Sequence, residues 1–177
     1  MTLSNPSSLA NYANDAVDPL IEIQELNVEY QTKRGAVKAV ENVSFEIYPN
    51  EVFGLAGESG CGKSTLARAL IGLVPVTRGS VEINGQDITR FNAAQWRALR
   101  RQVQFVFQDP LASLDPRMTV GQAITEPMMS LCPEWGAAER QRRMAELMER
   151  VGIAHYADKR ADQLSGGERQ RVGVVRA

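Results

Sequence analysis

Apolar and polar side chains alternate from Leu20 to Tyr30 (LIEIQELNVEY), the period-two pattern of a strand with one solvated face. Gly35 interrupts, and Val43 to Ile47 reads as the return strand. Glu51 to Leu55 is short and apolar between Pro49-Asn50 and Gly57, which predicts a buried strand of a parallel sheet. A helix from Lys63 would bury Leu66, Ala69, Leu70 and Leu73. Val81-Glu82-Ile83 and Gln86-Asp87-Ile88 flank Asn84-Gly85, a dipeptide suited to the positive φ angles of a tight hairpin. A polar helix over Ala93 to Arg101 precedes Val103 to Phe107, whose β-branched and aromatic residues predict another core strand. Beyond Gln108 the periodicity turns helical over Val120 to Met129 and Ala137 to Val151. In the second of these Met144, Leu147, Met148 and Val151 share a face and Gly152 marks the stop.

Composition fits this α/β reading: 177 residues, 44% hydrophobic and 23% charged, supply one core. A net charge of -1 gives no general attraction to nucleic acid or to an anionic membrane. The Arg clusters at Arg97, Arg100 and Arg101 and at Arg140, Arg142 and Arg143 have helical spacing and nearby Glu, the pattern of solvated, ion-paired faces. Cys61 and Cys132 are too few for a disulfide framework and lack metal-ligand spacing. Residues 1–19 show neither a basic start nor an apolar stretch and predict a flexible tail, and no apolar run reaches 18 residues.

The strongest chemical signal is Gly57-Glu58-Ser59-Gly60-Cys61-Gly62-Lys63-Ser64, which satisfies G-x-x-x-x-G-K-[ST] between a predicted strand and a predicted helix. Glycines let such a loop turn successive N–H groups inward around phosphate oxygens, and the helix N-terminus adds partial positive charge. Lys63 would reach the β- and γ-phosphates, and the Ser64 hydroxyl would ligate Mg2+. Cys61 contributes a backbone amide. Leu164-Ser165-Gly166-Gly167-Glu168 repeats the theme, with Ser165 as a helix cap and two glycines permitting close approach to an anion. On its own this second element is more often a flexible joint, but two anion-type helix starts about 100 residues apart point to a common chemistry.

Together, GESGCGKST, the glutamine of Phe107-Gln108-Asp109-Pro110 and LSGGE followed by RQRV resemble the ATP-binding subunits of ATP-binding cassette (ABC) transporters. GESGCGKSTLAR and FQDPLASLDPRMTVGQAI look like the branch that energises import of dipeptides, oligopeptides, nickel or glutathione. The resemblance implies a P-loop nucleoside triphosphatase of ABC type, with an antiparallel β subdomain and a helical lobe. Its implied domains are a nucleotide-binding core over residues 20–107, a lobe over 108–164 and the start of a signature helix over 165–177. It also implies ATP and Mg2+ as ligands and stacking of adenine on Tyr30, for which an ordinary core or edge tyrosine is the alternative. Thr65 would touch the α-phosphate. Gln108 would contact Mg2+ and the attacking water, and Ser165, Gly166, Gly167 and Glu168 would face ATP held by a second ATP-binding subunit, identical or not. Transmembrane permease subunits would hold the protein on the cytoplasmic face of the inner membrane, with a solute-binding protein acting through them. No nucleic acid is implied.

The family pattern departs in two places. Glu168 stands where Gln is commoner, and Val172-Gly173-Val174-Val175 is strand-like inside the expected helix. The Walker B Asp, the catalytic Glu and the switch His lie after the signature in the family and are not among these residues. His155, the one histidine, precedes the signature and is expected on the surface of the lobe. These residues therefore predict a chain truncated before the Walker B strand, marginally folded alone and hydrolysing ATP poorly or not at all. The alternatives are a nucleotide-binding remnant without turnover and a chromosome-maintenance or repair ATPase, whose two motifs are separated by a long coiled coil that this chain has no room for.

Overall fold

The computed structural model describes residues 17–33, 35–109 and 114–177, so residues 1–16 of the expected tail and Pro110 lie outside it. The described residues form two compact units, divided between Trp96 and Arg97.

The first unit is built on four antiparallel strands in the order β2-β1-β3-β4: β1 (Ile21–Thr32), β2 (Gly35–Ile47), β3 (Arg78–Ile83) and β4 (Gln86–Asp87). β1 pairs with β2 from Ile21↔Ile47 to Thr32↔Gly35 and with β3 from Ile21↔Ile83 to Asn27↔Arg78. Strict alternation predicts that Ile23 and Leu26 face opposite ways, yet both are buried. The register shifts between them, where Glu25 takes φ 45° and its N–H donates to Ser44 Oγ at 2.8 Å. One bulged residue thus returns Leu26 and Val28 to the core face. The Asn84-Gly85 hairpin forms as expected, with φ 52° and 70° at its two turn residues and Ile83 paired with Gln86.

Helix α1 (Lys63–Leu70) buries Leu66 and Ala69. Leu73, expected on the same face, is half exposed because the helix stops at Leu70 and the chain turns at Gly72. A Cβ at Gly72 would lie 2.3 Å from Trp96 Cζ2, so only glycine lets the indole close over the end of α1. Trp96 sits on α2 (Ala93–Leu99), whose start is capped by Asn92 Oδ1 accepting from Ala94 and Gln95 N–H at 2.9 and 3.0 Å. Phe91 meets the same indole edge to face.

Two predicted strands are corrected. Residues 51–55 and 103–107 form no strand among the described residues, and Val52 is 98% exposed. Both runs have strand composition, but a ladder needs a partner, and no described strand pairs with either.

The second unit is helical: α3 (Val120–Leu131), α4 (Ala137–Arg150) and α5 (Gly166–Arg176), joined after α4 by single 3-10 turns at Ala154–Tyr156 and Ala161–Gln163. Ile124, Met148, Ile153 and Val172 are at most 1% exposed and centre one apolar cluster. Each contributes roughly 1.5–3 kcal/mol by leaving water. Met144 and Met148 are buried on α4 as the periodicity predicts, while Leu147 and Val151 pack at the cluster's margin. Thr119 caps α3 in a reciprocal box with Gln122, its N–H reaching Gln122 Oε1 at 2.9 Å. Arg142 and Arg143 pair with Glu139, which agrees with the ion-paired reading of that face. The strand-like Val172 to Val175 is helical, with Val172 and Val175 taken into the cluster.

Candidate functional site

The loop Gly57–Gly62 enters α1 through Gly62, whose φ of 97° and ψ of 1° lie in the left-handed region. A Cβ there would stand 2.1 Å from the Ala39 carbonyl oxygen of β2. The loop therefore lies against the sheet at a distance that no side chain permits. The Lys63 ammonium folds back over the loop and donates to the carbonyls of Gly57 at 2.7 Å and Glu58 at 2.6 Å, with Cys61 Sγ at 3.6 Å. Its charge is thereby held at the loop rather than in bulk solvent. Cys61 N–H closes the turn onto Glu58 C=O at 3.4 Å.

Helix α1 has no side-chain cap and no acidic residue in its first turn. Its leading N–H groups and the positive end of its dipole are left to whatever anion the loop admits. Ser64 and Thr65 occupy that first turn. Tyr30, on the central strand β1, donates from its hydroxyl to Thr65 Oγ1 at 3.4 Å and is 39% exposed, so it is not a core residue. The first unit thus brings Tyr30, Lys63 and Thr65 together around one loop.

Gln108 and the Ser165–Glu168 collar belong to the second unit. Gln108 is exposed at the end of the extended run, after Phe105 and Phe107 in edge-to-face contact. The collar is a reciprocal capping box: Glu168 N–H donates to Ser165 Oγ at 3.4 Å, and Ser165 N–H donates to Glu168 Oε2 at 2.7 Å. Gly166 and Gly167 have open space where a Cβ would be. His155 lies exposed with its ring 3.9 Å from that of Tyr156.

Sequence reasoning missed Tyr156, whose hydroxyl donates to Glu168 Oε1. This bond, with those from Ser165, holds the Glu168 carboxyl down at about 2, and the same bond raises the Tyr156 phenol. Because the folded-state value is lower than the ordinary 4.5, the box contributes stability above that pH, which is lost progressively as pH falls towards 2. A carboxyl-carbon NMR titration is expected to place Glu168 well below ordinary glutamates, and Tyr156→Phe is expected to move its midpoint upward. A midpoint near 4.5 in the unaltered protein would refute the arrangement.

No group of three His, Cys, Asp or Glu suited to a metal occurs among the described residues, and no described helix is long and apolar enough to cross a membrane. Residues 40–177 match the family described as ABC transporter. The oligopeptide transport ATP-binding protein OppF of Haemophilus influenzae is 39% identical over 187 residues, covering all of this chain and 53% of that protein. A putative peptide import ATP-binding protein of Brucella abortus is 44% identical over 182 residues, covering all of this chain and 54% of that one. The chain spans about half the length of these curated relatives. Among solved structures, the dimeric post-hydrolysis state of the ATP-binding cassette MJ0796 bound to ADP and Pi superimposes with a TM-score of 0.80 at 26% identity. The match covers 88% of this chain and 68% of that one.

Proposed function

The chain belongs to the ABC transporter family, and on that premise we propose that it is part of an ATP-binding subunit that energises import of peptides or a related small solute. The observation that carries this reading is the uncapped, acid-free start of α1 beneath the Lys63 ammonium, with Tyr30 bonded to Thr65 beside it. It is a site for a polyphosphate with an aromatic group nearby for a base. In this reading the N–H groups of Gly57, Glu58, Ser59, Gly60, Cys61 and Gly62 line the β- and γ-phosphates, Lys63 pairs with them, and Thr65 reaches the α-phosphate. Tyr30 stacks on adenine once its bond to Thr65 yields. For Gln108 the family resemblance implies a role at the γ-phosphate. Ser165, Gly166, Gly167 and Glu168 face the ATP of a second subunit, as the family resemblance implies, and the similar cassette MJ0796 is dimeric.

Mg2+ suits this donor set. It favours a hard oxygen ligand or two, with phosphate oxygens and waters completing its shell, and the Ser64 hydroxyl in the first turn of α1 is such a ligand, while a Gln108 contact to the ion is what the family resemblance implies. The ion neutralises phosphate charge when bound. The transported solute class follows the names of the relatives, whereas the permease partners and the peripheral position at the cytoplasmic face of the inner membrane follow from the family resemblance alone.

Titration of the native-length protein with a fluorescent ATP analogue, with and without Mg2+, tests the reading. Saturable binding strengthened by Mg2+ is expected, and Ser64→Ala is expected to remove most of the Mg2+ increment. Absence of nucleotide binding in the unaltered protein would overturn the proposal.

A further inference from the structure

Glu168 poses an electrostatic problem within the proposed reading. It places a carboxylate at the third position of a helix whose first turn is to receive a phosphate, and like charges there repel. The structure answers it with a residue twelve positions earlier. After α4, the N–H of Ile153 closes on the Met148 carbonyl at 2.9 Å, and Ile153 is fully buried. The 3-10 turn Ala154–Tyr156 follows at once, so the position of the Tyr156 ring is set by that anchor. On its other side the chain is tied to the start of α3, with Gly121 N–H on Ala157 C=O at 2.9 Å and Val120 N–H on Lys159 C=O at 2.8 Å. Held at both ends, Tyr156 aims its hydroxyl at Glu168 Oε1. Its ring packs at the margin of the apolar cluster.

Both carboxylate oxygens are then occupied, Oε1 by Tyr156 and Oε2 by the Ser165 amide. Lys159 adds a positive charge behind them, its Nζ 4.7 Å from the centroid of the Tyr156 ring. The negative charge is thereby fixed between the Tyr156 hydroxyl and the Ser165 amide. We propose that Tyr156 is a positioning residue for the phosphate collar, holding the Glu168 carboxylate fixed in the cap so that an acidic residue can serve where a neutral amide would otherwise be needed. Phenylalanine at 156 keeps the ring and loses the donor, which frees one carboxylate oxygen to swing towards the collar. Glutamine at 168 carries no charge to redirect and makes the donor dispensable.

This inference rests on the ATP-binding reading above and is tested by a double-mutant cycle in the native-length protein assembled with its partner subunits. The measured quantity is the ATP concentration giving half-maximal hydrolysis. Tyr156→Phe is expected to raise it about threefold to tenfold beside Glu168 and less than about twofold beside Glu168→Gln. Equal effects in the two backgrounds, or none in either, would overturn the positioning role and leave nucleotide binding intact. A purely structural role for the Tyr156 hydroxyl predicts the equal effects, because its loss is then felt regardless of the charge at residue 168. If the unaltered assembly neither binds nor hydrolyses ATP, the functional reading falls and this inference with it.

Discussion

Lys63→Ala is expected to weaken binding of a fluorescent ATP analogue at least about tenfold, with the far-ultraviolet circular dichroism unchanged. The ammonium donates to two loop carbonyls and is the cationic side chain that the structure holds over the loop. Removing one partner of a desolvated charge pair costs about 2–5 kcal/mol, and each 1.4 kcal/mol is about a factor of ten in affinity. The lower bound is the appropriate one here, because the open loop lets water screen part of the interaction. The fold should tolerate the change, since Lys63 reaches no core residue and begins a helix in which alanine is a better former than lysine. Equal affinities for the two proteins would remove the P-loop assignment itself.

Gly62→Ala is expected to damage both stability and binding. Alanine in the left-handed conformation costs about 1–2 kcal/mol, and its Cβ would stand 2.1 Å from the Ala39 oxygen, far inside contact distance. That oxygen is backbone in β2 and cannot rotate aside, so either the loop lifts off the sheet or β2 shifts. A loss of about 2–4 kcal/mol is the expected sum, read as a lowered denaturation midpoint in urea. Nucleotide affinity should fall as well, because the loop and the first turn of α1 move together. A variant with unaltered midpoint and unaltered affinity would mean that Gly62 does not adopt this conformation in solution.

Features set by adjacent residues were legible in the sequence. Asn84-Gly85 specifies its own hairpin because both residues accept positive φ, and Ser165 with Glu168 specifies its own capping box because the two reach each other across one turn. The P-loop reads for the same reason: glycine, lysine and hydroxyl stand at fixed offsets. Features that depend on distant chain did not read. Residues 51–55 and 103–107 have the local marks of a strand, but pairing is decided by a neighbour. The bulge at Glu25 is invisible in an alternating pattern, because the inserted residue only shows once Ile23 and Leu26 are both found inside. Tyr156 escaped because its partner is reached through a buried anchor and a single 3-10 turn, and no spacing rule links such positions.

The closure of Trp96 over Gly72 has a spectroscopic side. The chain has two tryptophans, and they fall one to each unit: Trp96 against the end of α1, and Trp135 beside α4 with the Arg143 guanidinium 5.7 Å from its ring centroid. An indole pressed on an apolar helix end and an indole facing a cation emit differently. Each unit therefore has its own intrinsic fluorophore, and two single Trp→Phe proteins suffice to watch the P-loop helix and the helical lobe respond separately to nucleotide or denaturant.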